Sequence, residues 1–530
     1  MDYLPRQESD ESIVKEKIQT TEQRRHHTVQ SNLAALDNVA LFAAQADEDE
    51  EADPEASARV RRKVDIYLLP LMCCTSQSKL LDITMVNADK ICLGESAIMG
   101  LMNTVHIDQA QFNWLGAAYY MSYLVFQYPQ SRALQYFPVG KWMSFNVFLW
   151  SVTLLCHAAC KSFASILAIR IMMGICEGAV IPGFMLIIPM FYTRSEQMLR
   201  IGVLLFMAGF SIILIGFVSF ALLQSASSVL APWQWLMIIT GLLTLLWAVA
   251  SWFLLPDSPK SAYFLTEKER LIAVKRIIVN QAGVENKHFK KEQFIEVLRD
   301  PKTWLFFASV GAISMTNSLT NQRQLIVKQF GFTPIQSTLI GCVDGVVTIT
   351  VLCAGAALSS LRFGRSGAAL ATVLPGITGC ALVILLPDSD RVGLLFSYWT
   401  AFFTIVPYAL TLSWVMVVTA GHTKKTTTNA IVMIAYALGS ALGPFMWKAE
   451  YQPRNRVPWI TLGATALFSS LITLTLRLYL ARENARRDRE APDTRFDAVY
   501  VRAADGGEKR VDKAYLDLTD WQNREFRYPL

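Results

Sequence analysis

Apolar runs of about 20 residues alternate with short polar connections from Ile66 to Leu480. A hydrocarbon core about 30 Å thick is crossed by about 20 helical residues. The pattern therefore predicts twelve membrane-spanning helices, over 66–88, 112–131, 142–159, 164–191, 201–223, 233–255, 303–320, 335–359, 367–386, 393–419, 427–447 and 458–480. The fourth is expected to bend at Pro182, because proline removes a backbone donor. Soluble fold classes do not show this spacing. The expected fold class is an all-α membrane protein with room for a solute pathway.

The polar stretches divide the chain. Residues 1–58 carry 14 acidic and 5 basic residues, end in the acidic run 47–55, and read as a disordered tail. Arg59, Arg61, Arg62 and Lys63 then abut the first apolar run. The connection 256–302 separates the spans six and six, giving one half over 59–255 and another over 303–480. Within it, 267–280 has an amphipathic pattern with Leu271, Val274, Ile277 and Ile278 on one stripe. The tail 481–530 opens with Arg482, Arg486, Arg487 and Arg489, which suits an anionic leaflet. With the N-terminus inside, internal connections hold 18 Lys and Arg and external ones hold 8. The positive-inside bias then places both termini in the cytosol.

Composition agrees with lipid as the solvent. The chain of 530 residues is 53% hydrophobic and 17% charged, against about 25% charged in soluble domains. Its net charge of +6 arises beyond the acidic tail and at membrane edges, which argues against a nucleic-acid partner. Residues 1–58 lack the apolar core of a cleavable signal peptide, and no retention signal ends the chain, so the plasma membrane is the default location. The nine cysteines show no disulfide ladder, and Cys156-His157-x-x-Cys160 is an incomplete ligand set inside an apolar run. No phosphate-binding loop or nucleophile elbow occurs, so no enzyme activity, cofactor or metal is expected.

Ionisable side chains inside a span cost about 2.5–3.5 kcal/mol to insert and call for a reason. Arg170 and Glu177 lie two helical turns apart, with Gly174 and Gly178 on the same side to admit a neighbouring helix. Arg170 is a candidate to hold an anionic group or lock a closed state, and Glu177 to carry a proton; an ion pair that only fixes packing is the alternative. Asp344 in span 8 is a second candidate for protonation or cation pairing. Asn317 and Asn321 offer hydrogen bonds to a polar solute, with capping or helix–helix bonding as the rival role. Tyr119, Tyr120, Tyr123 and Tyr128, with Gln127 among them, form an aromatic ladder that lines a pathway or anchors an interface. Trp233, Trp235, Trp399 and Trp459 read as interfacial belt residues.

Several runs resemble the major facilitator superfamily, in particular the fungal allantoate permease group of anion:cation symporters. They are Ala168-Ile-Arg170-Ile-Met-Met-Gly174-Ile-Cys-Glu177-Gly, Ile181-Pro182-Gly183-Phe184, Ser195-Glu196-Gln197 through Arg200, Leu255-Pro-Asp-Ser-Pro259, Asn286-Lys-His-Phe289, Asp300-Pro-Lys-Thr-Trp304 and Gly421-His-Thr-Lys-Lys-Thr-Thr-Thr-Asn429. The resemblance covers about 59–485 and implies a twelve-helix carrier in two six-helix halves, driven by protons. It implies a small organic anion as solute: a ureido acid, a vitamin-like carboxylate, a short peptide or a specialised metabolite. Three departures stand out. Gln127 replaces the group's usual glutamate before Tyr-Pro, and an amide cannot release a proton. The charged glycine-rich turn between spans 2 and 3 is reduced to Pro138-Val-Gly140-Lys141, with a trace at Arg362-Phe-Gly-Arg365. Span 1 is about seven residues longer than in relatives and carries Lys79 and Asp82. Either span 1 is a broken helix lining the cavity, or residues near 75–88 derive from a faulty gene model, such as a retained intron.

The sequence therefore predicts a monomeric carrier whose partners are a small organic anion, protons and the lipid bilayer. An exporter of a toxic or specialised metabolite is the nearest rival, and a non-transporting nutrient sensor a weaker one.

Overall fold

The computed structural model describes residues 54–73, 91–225, 229–278, 290–361, 364–490, 500–502, 508–510 and 518–530. The helices are α1 (Pro54–Cys73), α2 (91–98), α3 (Leu101–Thr104), α4 (Gln109–Tyr136), α5 (Val139–Ala158), α6 (Phe163–Phe191), α7 (Arg194–Gln224) and α8 (Pro232–Leu254). After them come α9 (Glu267–Ile278) and α10 (Lys291–Arg299), then α11 (Pro301–Ser314), α12 (Ser318–Gln329), α13 (Pro334–Ser360) and α14 (Gly364–Leu385). The series ends with α15 (Arg391–Ala401), α16 (Val406–Val418), α17 (His422–Leu442) and α18 (Arg456–Arg487). A ladder of three residue pairs joins β1 (Tyr500–Arg502) and β2 (Glu508–Arg510) antiparallel.

Sharp helix starts follow from local chemistry. Asp108 accepts from the Gln111 amide at 2.6 Å, while the Gln111 side chain accepts from the Asp108 amide at 3.1 Å. Thr333 and Gln336 repeat this reciprocal cap ahead of α13. Pro232, Pro301 and Pro334 each occupy a first helical turn, where a missing donor costs nothing. Short connections then force neighbouring helices antiparallel.

Among the described residues, nine helical stretches are long and apolar enough to cross a membrane. Two further crossings are less apolar: α4 carries the tyrosine ladder, and α11 and α12 are joined by a 3-10 turn at Met315–Asn317. The seventh crossing thus runs to Gln329, nine residues past the expected end. A second 3-10 turn, Phe402–Ile405, precedes Pro407 and divides the tenth crossing into α15 and α16. Helix α6 stays helical through Pro182. The first span is described only by α1 and α2, so the question of residues 75–88 lies outside the described residues. Helix α1 already starts at Pro54, within the stretch read as a tail; residues 1–53 lie outside the description.

Helix α4 packs on α6, and α5 on α6 and α8; in the second half α11 packs on α17 and α18, and α14 on α15, α16 and α18. The halves meet along α7 with α13 and along α4 with α17. Gly209 and Gly345 face each other there; a Cβ on Gly209 would lie 2.9 Å from the Gly345 carbonyl. Large apolar side chains such as Phe253, Leu246, Phe396 and Leu471 cover the outer surface, as a lipid-facing shell requires.

Two of the tryptophans read as belt residues are instead core. Trp233 is 1% exposed and donates to Thr104 Oγ1 at 2.9 Å; Trp459 is 0% exposed and packs edge-on to Trp447 and Tyr398. An indole that finds a partner or an aromatic nest inside the bundle gains more than one left at the interface.

Candidate functional site

One face of the molecule carries Pro54 and the docked C-terminal residues 518–530, and is here termed the terminal face; the opposite face is the far face. Helix α6 enters from the far face and places Arg170 and then Glu177 deep in the bundle, both essentially fully buried. Gly174 and Gly178 let α4 approach: a Cβ on Gly174 would overlap the Tyr119 carbonyl and Ser122, and one on Gly178 would lie 3.1 Å from Gln130 Cγ. The approach delivers the Tyr119 hydroxyl to Glu177, to which it donates. Tyr120 and Tyr123 line up beside it, and the second half supplies Tyr436 and Tyr408. Ring centroids lie 6.2 Å apart for Tyr120 and Tyr436, 6.4 Å for Tyr123 and Tyr436, and 5.2 Å for Tyr408 and Tyr436. Arg170 is within electrostatic reach of Tyr120 and of buried His157.

The aromatic ladder therefore splits. Tyr119, Tyr120 and Tyr123 point into the bundle, whereas Tyr128 is 78% exposed on its outside. Gln127 lies one turn beyond Tyr123; its Oε1 is buried without a hydrogen-bond partner among the described residues. Asn317 donates to Ser440 Oγ of α17 at 2.9 Å, a helix–helix bond. Asn321 sits where α12 meets the first half: a Cβ on Gly94 would come within 2.8 Å of its carbonyl, and one on Gly116 within 2.8 Å of its amide nitrogen.

Asp344 belongs to a different cluster. It is the eleventh residue of α13, about 15 Å in from the helix start at 1.5 Å per residue. It accepts from Trp399 Nε1 at 2.7 Å and from the Tyr398 hydroxyl at 3.1 Å. Around it stand Glu95 and Arg323, which the span boundaries had left outside the membrane. The structure thus brings Arg170, Glu177 and Tyr123 together, sets Gln127 next to them, and keeps Asp344, Asn317 and Asn321 apart.

The far face is closed by polar bonds between the halves. Asn113 donates to the Trp447 carbonyl at 2.6 Å and accepts from Gln322 at 2.8 Å, and Gln324 donates to Glu95 at 2.5 Å. Three of the ion pairs at the terminal face join each half to its own part of the linker: Arg276 to Glu196 at 2.7 Å, Lys63 to Glu269 at 2.8 Å, and Lys424 to Glu296 at 2.5 Å.

Two of the motif runs converge away from the pathway. Asp300 and Lys302 at the start of α11 meet Lys424 at the start of α17: Lys424 lies 2.9 Å from Asp300 and 2.9 Å from Asp520, and Lys302 contacts Asp520. Tyr528 donates to Asp520 at 2.7 Å, and Trp414 to the Pro529 carbonyl at 2.7 Å. A third run acts as a cap. Asp257, from Leu255–Pro259, accepts from the Gly140 amide at 2.8 Å and so occupies the N-terminus of α5. The ring residues Tyr408 and Tyr436 gave no sequence signal, being aromatic positions in apolar spans.

Similarity to known proteins bears on this arrangement. A family model described as Major Facilitator Superfamily matches residues 91–444. The Thiamine pathway transporter of Saccharomyces cerevisiae is 32% identical over 482 residues, covering 89% of this chain and 87% of that protein. The Allantoate permease of the same organism is 27% identical over 507 residues, covering 93% and 90%. The inward open structure of the xylose transporter XylE from E. coli superposes with a TM-score of 0.58 at 12% identity, over 78% of this chain and 96% of that one. The chain is similar to fungal transporters, belongs to the Major Facilitator Superfamily, and is a multi-pass membrane transporter rather than an enzyme.

Proposed function

We propose that the chain is a secondary active transporter that carries a small organic anion together with a proton. The observation that supports this best is the buried pair Arg170 and Glu177 against a tyrosine ring drawn from both halves. A guanidinium matches a carboxylate in two parallel charge-assisted hydrogen bonds. The tyrosines supply apolar walls with polar tips, suited to a small ureido or vitamin-like acid. Glu177, held by the Tyr119 hydroxyl, is the proton carrier on the same helix. The ring spans the joint between halves, so rocking one half against the other changes which face reaches it.

In this reading the halves are 59–255 and 303–480, joined by a cytosolic linker over 256–302, and the functional unit is one chain in the plasma membrane. The terminal face looks into the cytosol, and the sealed far face looks out.

Uptake of labelled allantoate and a panel of small carboxylates by cells expressing the chain tests the anion assignment. Arg170→Ala is expected to lower uptake at least about tenfold at unchanged membrane abundance, with Arg170→Lys retaining part of it. Full uptake by Arg170→Ala would remove the anion site from α6.

A further inference from the structure

Glu95, Arg323 and Asp344 form a second buried charge centre, separate from the Arg170 site, and it straddles the two halves. Glu95 comes from α2 in the first half, Arg323 from α12 and Asp344 from α13 in the second. Both carboxylates are fully buried and Arg323 is 3% exposed. Gln324, next to Arg323, donates to Glu95 Oε1 at 2.5 Å, and a Cβ on Gly341, one turn before Asp344, would lie 3.6 Å from that same oxygen. Arg323 exerts its charge on Glu95 and on Asp344. Yet Arg323 Nε and Nη2 and Glu95 Oε2 have no hydrogen-bond partner among the described residues. Among the described residues, the groups facing the centre are Cys342 from α13 and Tyr398 and Trp399 from α15.

Charge arithmetic makes this arrangement a proton site. Two carboxylates and one guanidinium carry a net negative charge, which a buried location disfavours strongly. One added proton makes the set neutral. The centre adjoins the Gly94–Asn321 contact and the Asn113–Gln322 bond, with Glu95 next to Gly94 and Arg323 next to Gln322 along the chain, so it is part of the seal that closes the far face. Neutrality therefore favours burial and closure, and a net charge favours water and opening.

We propose that Glu95 and Asp344 share a proton taken from the far side, and that this proton, balanced by Arg323, latches the far face shut. The assignment rests on the proton-coupled reading above and adds a second protonation event to it. In the cycle, the proton arrives from far-side solvent on the open form, the carboxyl group closes the seal, and the proton returns to the far side when that face reopens, so the latch moves no net proton across the membrane and coupling stays with Glu177.

The test needs no solute. The full chain, with its native cysteines replaced and spin labels at Ala110→Cys and Gln452→Cys on the far face, is placed in nanodiscs. The distance between labels is read by double electron–electron resonance from about pH 5.5 to about pH 8.5. The parent is expected to shift from a short to a longer distance as pH rises. Glu95→Gln and Asp344→Asn are each expected to stay short throughout, and Glu95→Asp to keep a transition at a displaced midpoint. A parent distance indifferent to pH, or a transition unchanged in both neutral variants, overturns the proposal. Should Glu95→Gln fail to give monodisperse protein, Asp344→Asn and Glu95→Asp decide alone. Failure of the broader anion–proton reading shows up differently, as solute uptake indifferent to pH.

Discussion

Gly174 shows how much a single methyl group decides. A Cβ there would overlap the Tyr119 carbonyl and Ser122, whereas a Cβ on Gly311 would find its nearest neighbour at an ordinary 3.6 Å. Overpacking a close helix crossing costs about 1–3 kcal/mol. Gly174→Ala is thus expected to lower thermal stability in detergent, and Gly311→Ala to leave it within about 0.5 kcal/mol. Equal melting temperatures for the two variants would contradict the close approach of α4 and α6. At this scale the sequence was informative where lipid makes a residue expensive. Arg170, Glu177 and Asp344 stood out because charge in hydrocarbon needs a reason. Glu95 and Arg323 did not, because both fell just past the drawn span ends at 88 and 320, where a charge costs little. Trp233 and Trp459 misled for the converse reason: indoles suit the interface and the core alike, and only the partner settles which.

At the scale of elements, the C-terminal residues 518–530 act as a strap on the second half. Asp520 pairs with Lys302 and Lys424, which it shares with Asp300; Arg487 bonds the Phe526 carbonyl at 2.8 Å, and Asn484 bonds both backbone groups of Tyr528 at 2.9 and 2.8 Å. Removing one partner of a buried ion pair costs about 3–5 kcal/mol. Asp520→Asn is therefore expected to expose residues 518–530 to amide hydrogen exchange at neutral pH. Burial alone would raise the Asp520 carboxyl, but the charges of Lys302 and Lys424 outweigh it and hold it at about 2. A depressed folded-state value contributes stability above the ordinary value of about 3.9 that is lost as pH falls toward about 2. The strap of the parent is accordingly expected to stay docked at about pH 5. Exchange as fast in the parent as in the variant at that pH would contradict the pairing. The strap was not legible from sequence: thirteen mixed polar and aromatic residues have no periodicity, and their partners lie up to 223 positions away. The helices were legible, since length and apolarity suffice for them. Their breaks at Met315–Asn317 and Phe402–Ile405 were not.

For the whole molecule, twelve apolar runs and a central polar connection already implied two bundles, because nothing else buries so many crossings. What the runs could not convey is which faces meet. That depends on small residues such as Gly209 and Gly345 at the joint, and on polar tips such as Asn113 and Gln322 at one end. Closure at the far face makes a joint prediction with the tyrosine ring. Asn113→Ala removes two cross-half bonds and is expected to raise the reactivity of a cysteine placed at buried Thr316 toward a membrane-impermeant maleimide added on the far side. Unchanged labelling would mean the seal does not depend on Asn113.

The central claim is that Glu177 couples the solute to a proton. Purified parent and Glu177→Gln in liposomes, given labelled allantoate or whichever carboxylate the uptake panel selects, separate coupling from binding. With an imposed pH gradient the parent is expected to accumulate solute above equilibrium, and the variant to exchange solute across the membrane at near-parent rates without accumulating it. Gradient-driven accumulation that persists in Glu177→Gln would contradict the account.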